Sequence, residues 1–207
     1  MARSLHNFFL IIFESFMSSK NQKIKLRLGR EGDGRNVAQI HYRAIHEIAS
    51  NDYPEKILNA WGRELSEEEL AKREENFNRQ IKQKENIIVV AEIDDKIAGF
   101  GEVSLQESEL TALYVNPDFK RQGVGTATAK DLESRTKQSG LKFLKLHSSL
   151  TAESTVPRLE KAGLAVDRLP RSFYKRNGFQ REKEGTHILA TGEQMACVMM
   201  KKQIANN

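Results

Sequence analysis

Apolar and polar residues alternate with the period of a β-strand from Ile24 to Leu28. The glycine-containing stretch from Gly29 to Gly34 ends this alternation. Beyond it, apolar residues recur every three or four positions, which predicts an amphipathic helix packed on a sheet and ended at Tyr53-Pro54. That apolar stripe consists of Val37, Ile40, Ala44, Ile45 and Ile48.

Two further helices are predicted before the next strands. One is short and carries Ile57, Leu58 and Trp61. The other begins at Ser66, where serine followed three residues later by Glu69 has the spacing of a capping box, and it reaches about Lys82. Its many charges are typical of a solvated helix face.

The middle of the chain predicts a sheet. Residues 87–91 and 97–105 form a hairpin, 109–115 a further strand, and 141–146 another after a helix closed by Gly140. Strands and helices in this order predict an α+β or mixed α/β fold built round a single sheet.

We expect the N-terminal segment to lie outside the fold and the C-terminal segment to form its last strand. Residues 1–22 contain an apolar stretch that is too short and interrupted to cross a bilayer, and we expect this segment to lie outside the fold. One domain is expected over residues 23–203. Its last strand, around 195–200, either forms a sheet edge suited to a homodimer or lies in the core.

Composition supports a globular protein. The 207 residues are 39% hydrophobic and 29% charged, which is enough apolar surface for one core. The single cysteine, Cys197, cannot form an internal disulfide, which favours a reducing compartment such as the cytoplasm. Its apolar surroundings favour a buried side chain over a nucleophile.

A net charge of +5 favours an anionic ligand weakly, because 33 basic residues are interspersed with 28 acidic ones. No run of basic residues interleaved with aromatics is present, so neither a nucleic-acid partner nor a membrane is expected. A basic protein that binds nucleic acid or a protein partner remains an alternative on charge alone.

The segment from Glu109 to Thr126 combines a strand, a turn with two glycines and a helix start. Free N–H groups at a helix N-terminus and the helix dipole suit a phosphate, and Lys120 and Arg121 add positive charge. A nucleotide-hydrolase loop is excluded because no Gly-Lys-Ser/Thr triplet occurs, and a dinucleotide fingerprint lacks its third glycine at Thr128.

Within this context residues 113–126 resemble the acetyl-CoA signature Gln/Arg-x-x-Gly-x-Gly/Ala of the GNAT acetyltransferase superfamily, with Lys120 in its first position. Residues 172–179 resemble the Phe-Tyr-x-x-x-Gly-Phe segment of the same family. The resemblance covers about residues 24–202. It implies a single, mostly antiparallel sheet flanked by helices, and transfer of acetyl from acetyl-CoA to an amine by direct attack in a ternary complex.

The resemblance also implies site residues. Backbone groups of β-strand 109–115 would pair with the pantetheine arm and the amides after it would bind the pyrophosphate, without a metal. The cofactor residues so implied are Leu113, Tyr114, Val115, Lys120, Arg121, Gln122, Gly123, Val124, Gly125 and Thr126.

For catalysis the resemblance implies Glu109 as the base, with Glu102 on the preceding strand as second choice, and Tyr174 as the acid beside the sulfur. The alternative for each carboxylate is a solvent-facing strand residue. The alternative for Tyr174 is a packed aromatic.

An atypical insertion at about 154–171 precedes Tyr174 and leaves open whether that residue reaches the sulfur. It also keeps a non-catalytic CoA-binding module as the alternative function. Tyr53 and Trp61 are interpreted as core aromatics first and as an acceptor-pocket wall second.

Three histidines lack a partner at metal-ligand spacing and are interpreted as packing or surface residues. They are His41, His46 and His147. The amine acceptor, whether a small molecule or a protein, is not specified by the sequence.

Overall fold

A computed structural model describes residues 23–153 and 173–204 of the chain. The expected N-terminal extension, residues 1–22, and the expected insertion, 154–171, lie outside the described residues. Among the described helices, none is long and apolar enough to cross a membrane.

Within the described ranges the strands form one seven-stranded sheet in the order β1-β2-β3-β4-β5-β7-β6. The strands are β1 (Lys25–Leu28), β2 (Asn86–Ile93), β3 (Lys96–Ser104), β4 (Glu109–Val115), β5 (Phe143–Ser149), β6 (Gln180–Ile188) and β7 (Gln194–Gln203). All neighbours are antiparallel except β4 and β5, which are parallel. The predicted mixed, mostly antiparallel fold is confirmed.

Helices cover the sheet and short turns link them to it. The helices are α1 (Gly34–Arg43), α2 (Glu55–Trp61), α3 (Glu67–Gln83), α4 (Val124–Gln138), α5 (Leu150–Glu153) and α6 (Phe173–Arg176). The end of α1 widens into a π-turn (Ala44–Ile48), followed by a 3-10 turn (Ala49–Asn51). A second 3-10 turn (Pro117–Phe119) precedes α4.

Local sequence signals place several boundaries correctly. The Ser66 hydroxyl accepts a hydrogen bond from the Glu69 amide at 3.2 Å and caps α3 as predicted. Gly140, which follows α4, has a φ of +89°, a conformation that glycine adopts without the steric cost of a Cβ.

One strand prediction needs correction, and the structure decides between the two alternatives left open for the last strand. The strand predicted at 141–146 is β5, which starts later and continues to Ser149. The last strand, β7, is not at a sheet edge, because it pairs with β5 on one side and β6 on the other. Its buried residues, among them Met200, explain the apolar C-terminal pattern as core packing.

The two faces of the sheet carry different helices. Val89 packs with Leu132 of α4 on one face, and its neighbour Val90 packs with Ile40 of α1 on the other. All four are at most 4% exposed, so the sheet is buried on both faces at this point. Hydrophobic burial of this kind is the main stabilising term of such a fold.

A close approach of α4 to β3 depends on glycine. A Cβ at Gly99 would lie 2.7 Å from the Tyr114 carbonyl oxygen and 2.8 Å from Val124 Cγ1. Any side chain here would therefore push the first turn of α4 away from the sheet.

The hydroxyl of Tyr53 ties three parts of the fold together. It donates to the Ala196 carbonyl of β7 at 2.8 Å and accepts from the Leu150 amide, directly after β5, at 2.7 Å. Tyr53 is 7% exposed, and burial raises its pKa to about 12. The interpretation of Tyr53 as a core aromatic is therefore supported by its position.

Replacing Gly99 by alanine is expected to lower the free energy of unfolding by about 1–3 kcal/mol, because the new methyl group overlaps backbone that cannot move freely. Gly185→Ala is the matched control: it also lies in a strand, and its Cβ would meet the flexible side chain of Met199 at 3.3 Å. Urea unfolding of both variants measures the difference. Equal effects would show that α4 does not press on β3.

Tyr53→Phe is expected to cost about 1–3 kcal/mol at neutral pH, because two part-buried hydrogen bonds to the backbone are lost. A tyrosine with a raised folded pKa stabilises fully below its ordinary pKa of 10.0, and this is lost as pH rises towards 12. As pH rises from 10 to about 12, the free energy of unfolding should therefore fall less in Tyr53→Phe than in the wild type. Urea unfolding tests both effects, with Tyr42→Phe as the control; unchanged stability at neutral pH would contradict them.

Candidate functional site

The site is built where β4 and β5 separate. Within the described strands they share one register pair, Glu109 with Lys145, and the Lys145 amide donates to the Ser108 carbonyl at 2.9 Å. Beyond this pair, β4 stays with β3 while β5 stays with β7. A cleft of about 900 Å³ opens between the two strands.

The turn after β4 forms one end of this cleft. Gly123 caps α4 with a φ of +85°, and the first helical hydrogen bond runs from the Ala127 amide to the Gly123 carbonyl at 3.0 Å. The amides before Ala127 precede that bond and are directed outward, as at every helix N-terminus. With the side chains of Lys120 and Arg121 at the same end, the turn suits an anion.

The turn is held in place by Arg43 at the end of α1. Its guanidinium donates to both carboxylate oxygens of Asp118, at 2.8 and 3.0 Å, and to the Asn116 side chain at 3.1 Å. It also bonds Glu47 of the π-turn at 2.6 and 3.1 Å. This fork fixes the 3-10 turn before α4 relative to the opposite wall of the cleft.

Most residues that the family resemblance implies for the cofactor line the cleft. They are Leu113, Tyr114, Val115, Lys120, Arg121, Gly123, Val124, Gly125 and Thr126. Gln122 is exposed in the turn and is not among the lining residues of the described chain. At Gly125 an added Cβ would contact Val115 at 3.3 Å and Phe173 at 3.4 Å, so this point of the cleft is narrow.

The side chain of Tyr114 belongs to the opposite wall rather than to the turn. Its hydroxyl accepts from Trp61 Nε1 at 3.2 Å, and its ring stacks on Phe100 with centroids 5.5 Å apart. The edge of His41 packs against it at 4.7 Å. Burial raises the pKa of Tyr114 and lowers that of His41 to about 4, so both groups are neutral at physiological pH.

Trp61 lines the cleft beside the π-turn and the 3-10 turn that follow α1. The interpretation of Trp61 as an acceptor-pocket wall thus fits its position, whereas Tyr53 lies in the core. Sequence reasoning missed the acidic residues of this wall, Glu47 and Asp52, because a continuous helical stripe gave no sign of the π-turn.

Glu109 lies at the closed end of the cleft, at the last point where β4 and β5 pair. Its carboxylate oxygens lie 3.1 Å from His147 Nδ1 and 3.6 Å from Lys145 Nζ. His187 of β6 packs on His147, with ring centroids 5.6 Å apart, and all but Lys145 line the cleft. The sequence interpretation of His147 as a packing or surface residue missed this contact, although alternation along β5 puts Lys145 and His147 on one face.

Glu102 lies elsewhere. It accepts a hydrogen bond from the Asn86 side chain across β2 and β3, and burial raises its pKa. The cleft, as residues 23–153 and 173–204 form it, is not lined by Glu102. The structure therefore brings Glu109, but not the second-choice carboxylate, to the cleft.

Tyr174 on α6 lines the cleft despite the long segment before it. Its half-buried ring packs edge-on against Phe173 at 5.1 Å and Phe179 at 5.7 Å. These contacts fix the ring between the core and the cleft. Across the described ranges, no group of three or more His, Cys, Asp or Glu side chains is arranged to hold a metal ion.

Similar folds occur in proteins of known structure. A GCN5-related N-acetyltransferase from Rhodopseudomonas palustris matches with a TM-score of 0.66 and 22% identity over 86% of this chain and 94% of that one. PaiA N-acetyltransferase from Thermoplasma acidophilum, solved in complex with coenzyme A, matches with 0.61 and 18% over 87% and 99%. YncA from Salmonella typhimurium, solved with acetyl-CoA, matches with 0.60 and 12% over 89% and 96%. At these identities the likeness concerns the fold.

The amino-acid sequence is also similar to that of known acetyltransferases. An uncharacterised N-acetyltransferase of Escherichia coli K12, YafP, is 26% identical over 165 residues, which cover 78% of this chain and 84% of that protein. The family model described as an acetyltransferase (GNAT) domain matches residues 50–159. That match spans more than half of the chain and includes β4, the turn after it and β5, which line much of the cleft, so the chain belongs to the GNAT acetyltransferase family.

Proposed function

We propose that the protein transfers the acetyl group of acetyl-CoA to an amine by direct attack within a ternary complex. The observation that carries this proposal is the cleft itself. A helix N-terminus suited to a phosphate, a strand with an open edge, a carboxylate and a tyrosine share one space of about 900 Å³. A cleft lined by convergent polar groups is the usual form of a small-molecule site.

The cofactor would occupy the gap between β4 and β5. Its pyrophosphate would accept hydrogen bonds from the amides around Gly123 and Gly125, next to Lys120 and Arg121. Its pantetheine arm would lie along β4, whose backbone groups on the β5 side have no ladder partner beyond Glu109 among the described strands. Coenzyme A in PaiA and acetyl-CoA in YncA support this ligand.

The acceptor would enter between Trp61 and the π-turn wall. Glu47, Asp52 and Glu109 are the carboxylates among the described residues that line the cleft, and carboxylates attract the ammonium form that amines adopt in water. The side chain of Trp61 adds an aromatic face that cations favour. The lining therefore supports an amine acceptor, small or part of a protein.

The chemistry requires three events. The ammonium form of the acceptor first releases a proton to solvent; the nitrogen of the neutral amine then attacks the thioester carbonyl to form the C–N bond, and its second proton leaves at the Glu109 end of the cleft. The C–S bond breaks, and the departing thiolate takes a proton from the Tyr174 hydroxyl. The net reaction gives an amide and free CoA thiol, with Tyr174 reprotonated by solvent.

Gly125→Glu is expected to weaken acetyl-CoA binding by about 10²-fold or more, because a carboxylate beside the helix N-terminus repels the pyrophosphate. Gly125→Ala is the matched control, since it adds bulk without charge and the family pattern admits alanine there. Isothermal titration calorimetry of wild type and both variants gives the comparison. Failure of the folded wild type to bind acetyl-CoA would sink the proposal.

Tyr174→Phe is expected to lower kcat by about 10²-fold and leave KM for acetyl-CoA nearly unchanged, because only the proton for the thiolate is removed. Thiol release from acetyl-CoA is followed with a short diamine, lysinamide and a peptide with a free amino terminus. Tyr42→Phe, outside the cleft lining of the described residues, is the control. Binding without turnover by the wild type would instead favour a CoA-binding module.

A further inference from the structure

An imidazole lies beside the carboxylate at the acceptor end of the cleft. His147 Nδ1 is 3.1 Å from Glu109 Oε1, although the two residues are 38 positions apart in the chain. His147 and Glu109 both line the cleft, as does His187. The sequence analysis assigned no motif to this pair, and the fold alone brings the two side chains together.

The contact defines which nitrogen of His147 carries the proton. An ionised carboxylate can only accept hydrogen bonds, so Nδ1–H donates to Glu109. The neutral ring then keeps its lone pair on Nε2. A histidine held in this way is both oriented and available as a proton acceptor.

Glu109 itself is already engaged on both sides. One oxygen accepts from His147, and the other lies 3.6 Å from Lys145 Nζ, which in turn lies 3.7 Å from Glu107. The Nε2 atom of His147 is not required for this network. Imidazole is also the side chain that ordinarily titrates near neutral pH, where a general base works best.

We infer that His147, rather than Glu109, takes the proton from the acceptor amine, and that Glu109 is the positioning residue that fixes the imidazole. This inference rests on the proposed acetyl transfer. The amine proton passes to Nε2 as the C–N bond forms, and Tyr174 protonates the thiolate as the C–S bond breaks. The imidazolium then returns its proton to solvent, which restores the neutral ring.

The exposure of the side chains provides that route to solvent. Glu109 is 18% exposed, His147 is 26% exposed, and His187 is exposed on the neighbouring strand β6. On β7 the register partner of His147 is Met199, which cannot carry a proton. The partly exposed imidazolium can therefore return its proton directly to solvent.

The charged and titratable groups around His147 come from four elements. Glu109 from β4 and His187 from β6 contact the ring, Lys145 from β5 lies beside Glu109, and Tyr174 from α6 lines the same cleft. The proposed role needs the neutral ring, so kcat of the wild type should fall at acid pH.

His147→Asn is the decisive variant. The asparagine amide nitrogen lies near the position of Nδ1 and can still donate to Glu109, but the lone pair of Nε2 is gone. The expected result is a fall in kcat of about 10²-fold, with an unchanged Kd for acetyl-CoA. The dependence of kcat on pH should change as well, which loss of packing alone would not produce.

Two further variants separate catalysis from structure. Glu109→Gln keeps an oxygen that accepts from Nδ1, so its loss should be smaller, about 10-fold. In His147→Ala, imidazole added to the buffer should restore part of the rate. Lys72→Gln is the control: Lys72 Nζ donates to Glu68 at 2.7 Å on the exposed face of α3, away from the cleft lining of the described chain, and turnover should not change.

The outcomes distinguish this inference from the function on which it rests. Each assay uses acetyl-CoA and whichever of the three amines named above the wild type acetylates. Wild-type turnover with kcat retained in His147→Asn, or lowered less than in Glu109→Gln, would overturn the role of His147 alone and return the base to Glu109. Acetyl-CoA binding without wild-type turnover of any amine would overturn both.

Discussion

The separation of β4 from β5 after one register pair is the constraint on which the site depends. β5 follows β7 over seven register positions, and the Tyr53 hydroxyl holds the Leu150 amide directly beyond its end. β4 follows β3 instead, so its edge towards β5 is left without a ladder. The backbone donors and acceptors of this edge face the cleft, where an extended ligand can pair with them.

Two walls of the cleft are joined through a single guanidinium. Arg43 ends α1 and bonds Glu47 on the acceptor side and Asp118 on the side of the phosphate turn. Its side chain is 36% exposed, so each ion pair adds little stability by itself. The planar fork instead sets geometry: the π-turn and the turn before α4 keep a fixed relation, which a two-substrate reaction requires.

The cleft has opposite chemistry at its two ends. Lys120 and Arg121 lie beside the N-terminus of α4. Glu109, in contact with His147, lies where β4 and β5 pair. This lining suits the anionic cofactor and the cationic amine of the proposed reaction at different ends. Tyr174, fixed by Phe173 and Phe179, lies on a third element and completes the lining.

Local sequence patterns were enough to predict elements that follow one another in the chain. The strand, glycine turn and helix from Glu109 to Gln138 follow one another in the chain, so alternation, a glycine cap and helical spacing predict them together. The cap at Ser66 and the family motifs are equally local. Tertiary structure alone decided which strands are neighbours: β7 lies inside the sheet, Glu102 faces away from the cleft, and His147 meets Glu109. Periodicity reports the face on which a residue lies but not the strand beside it, and pairing between distant strands is decided by packing of the whole sheet.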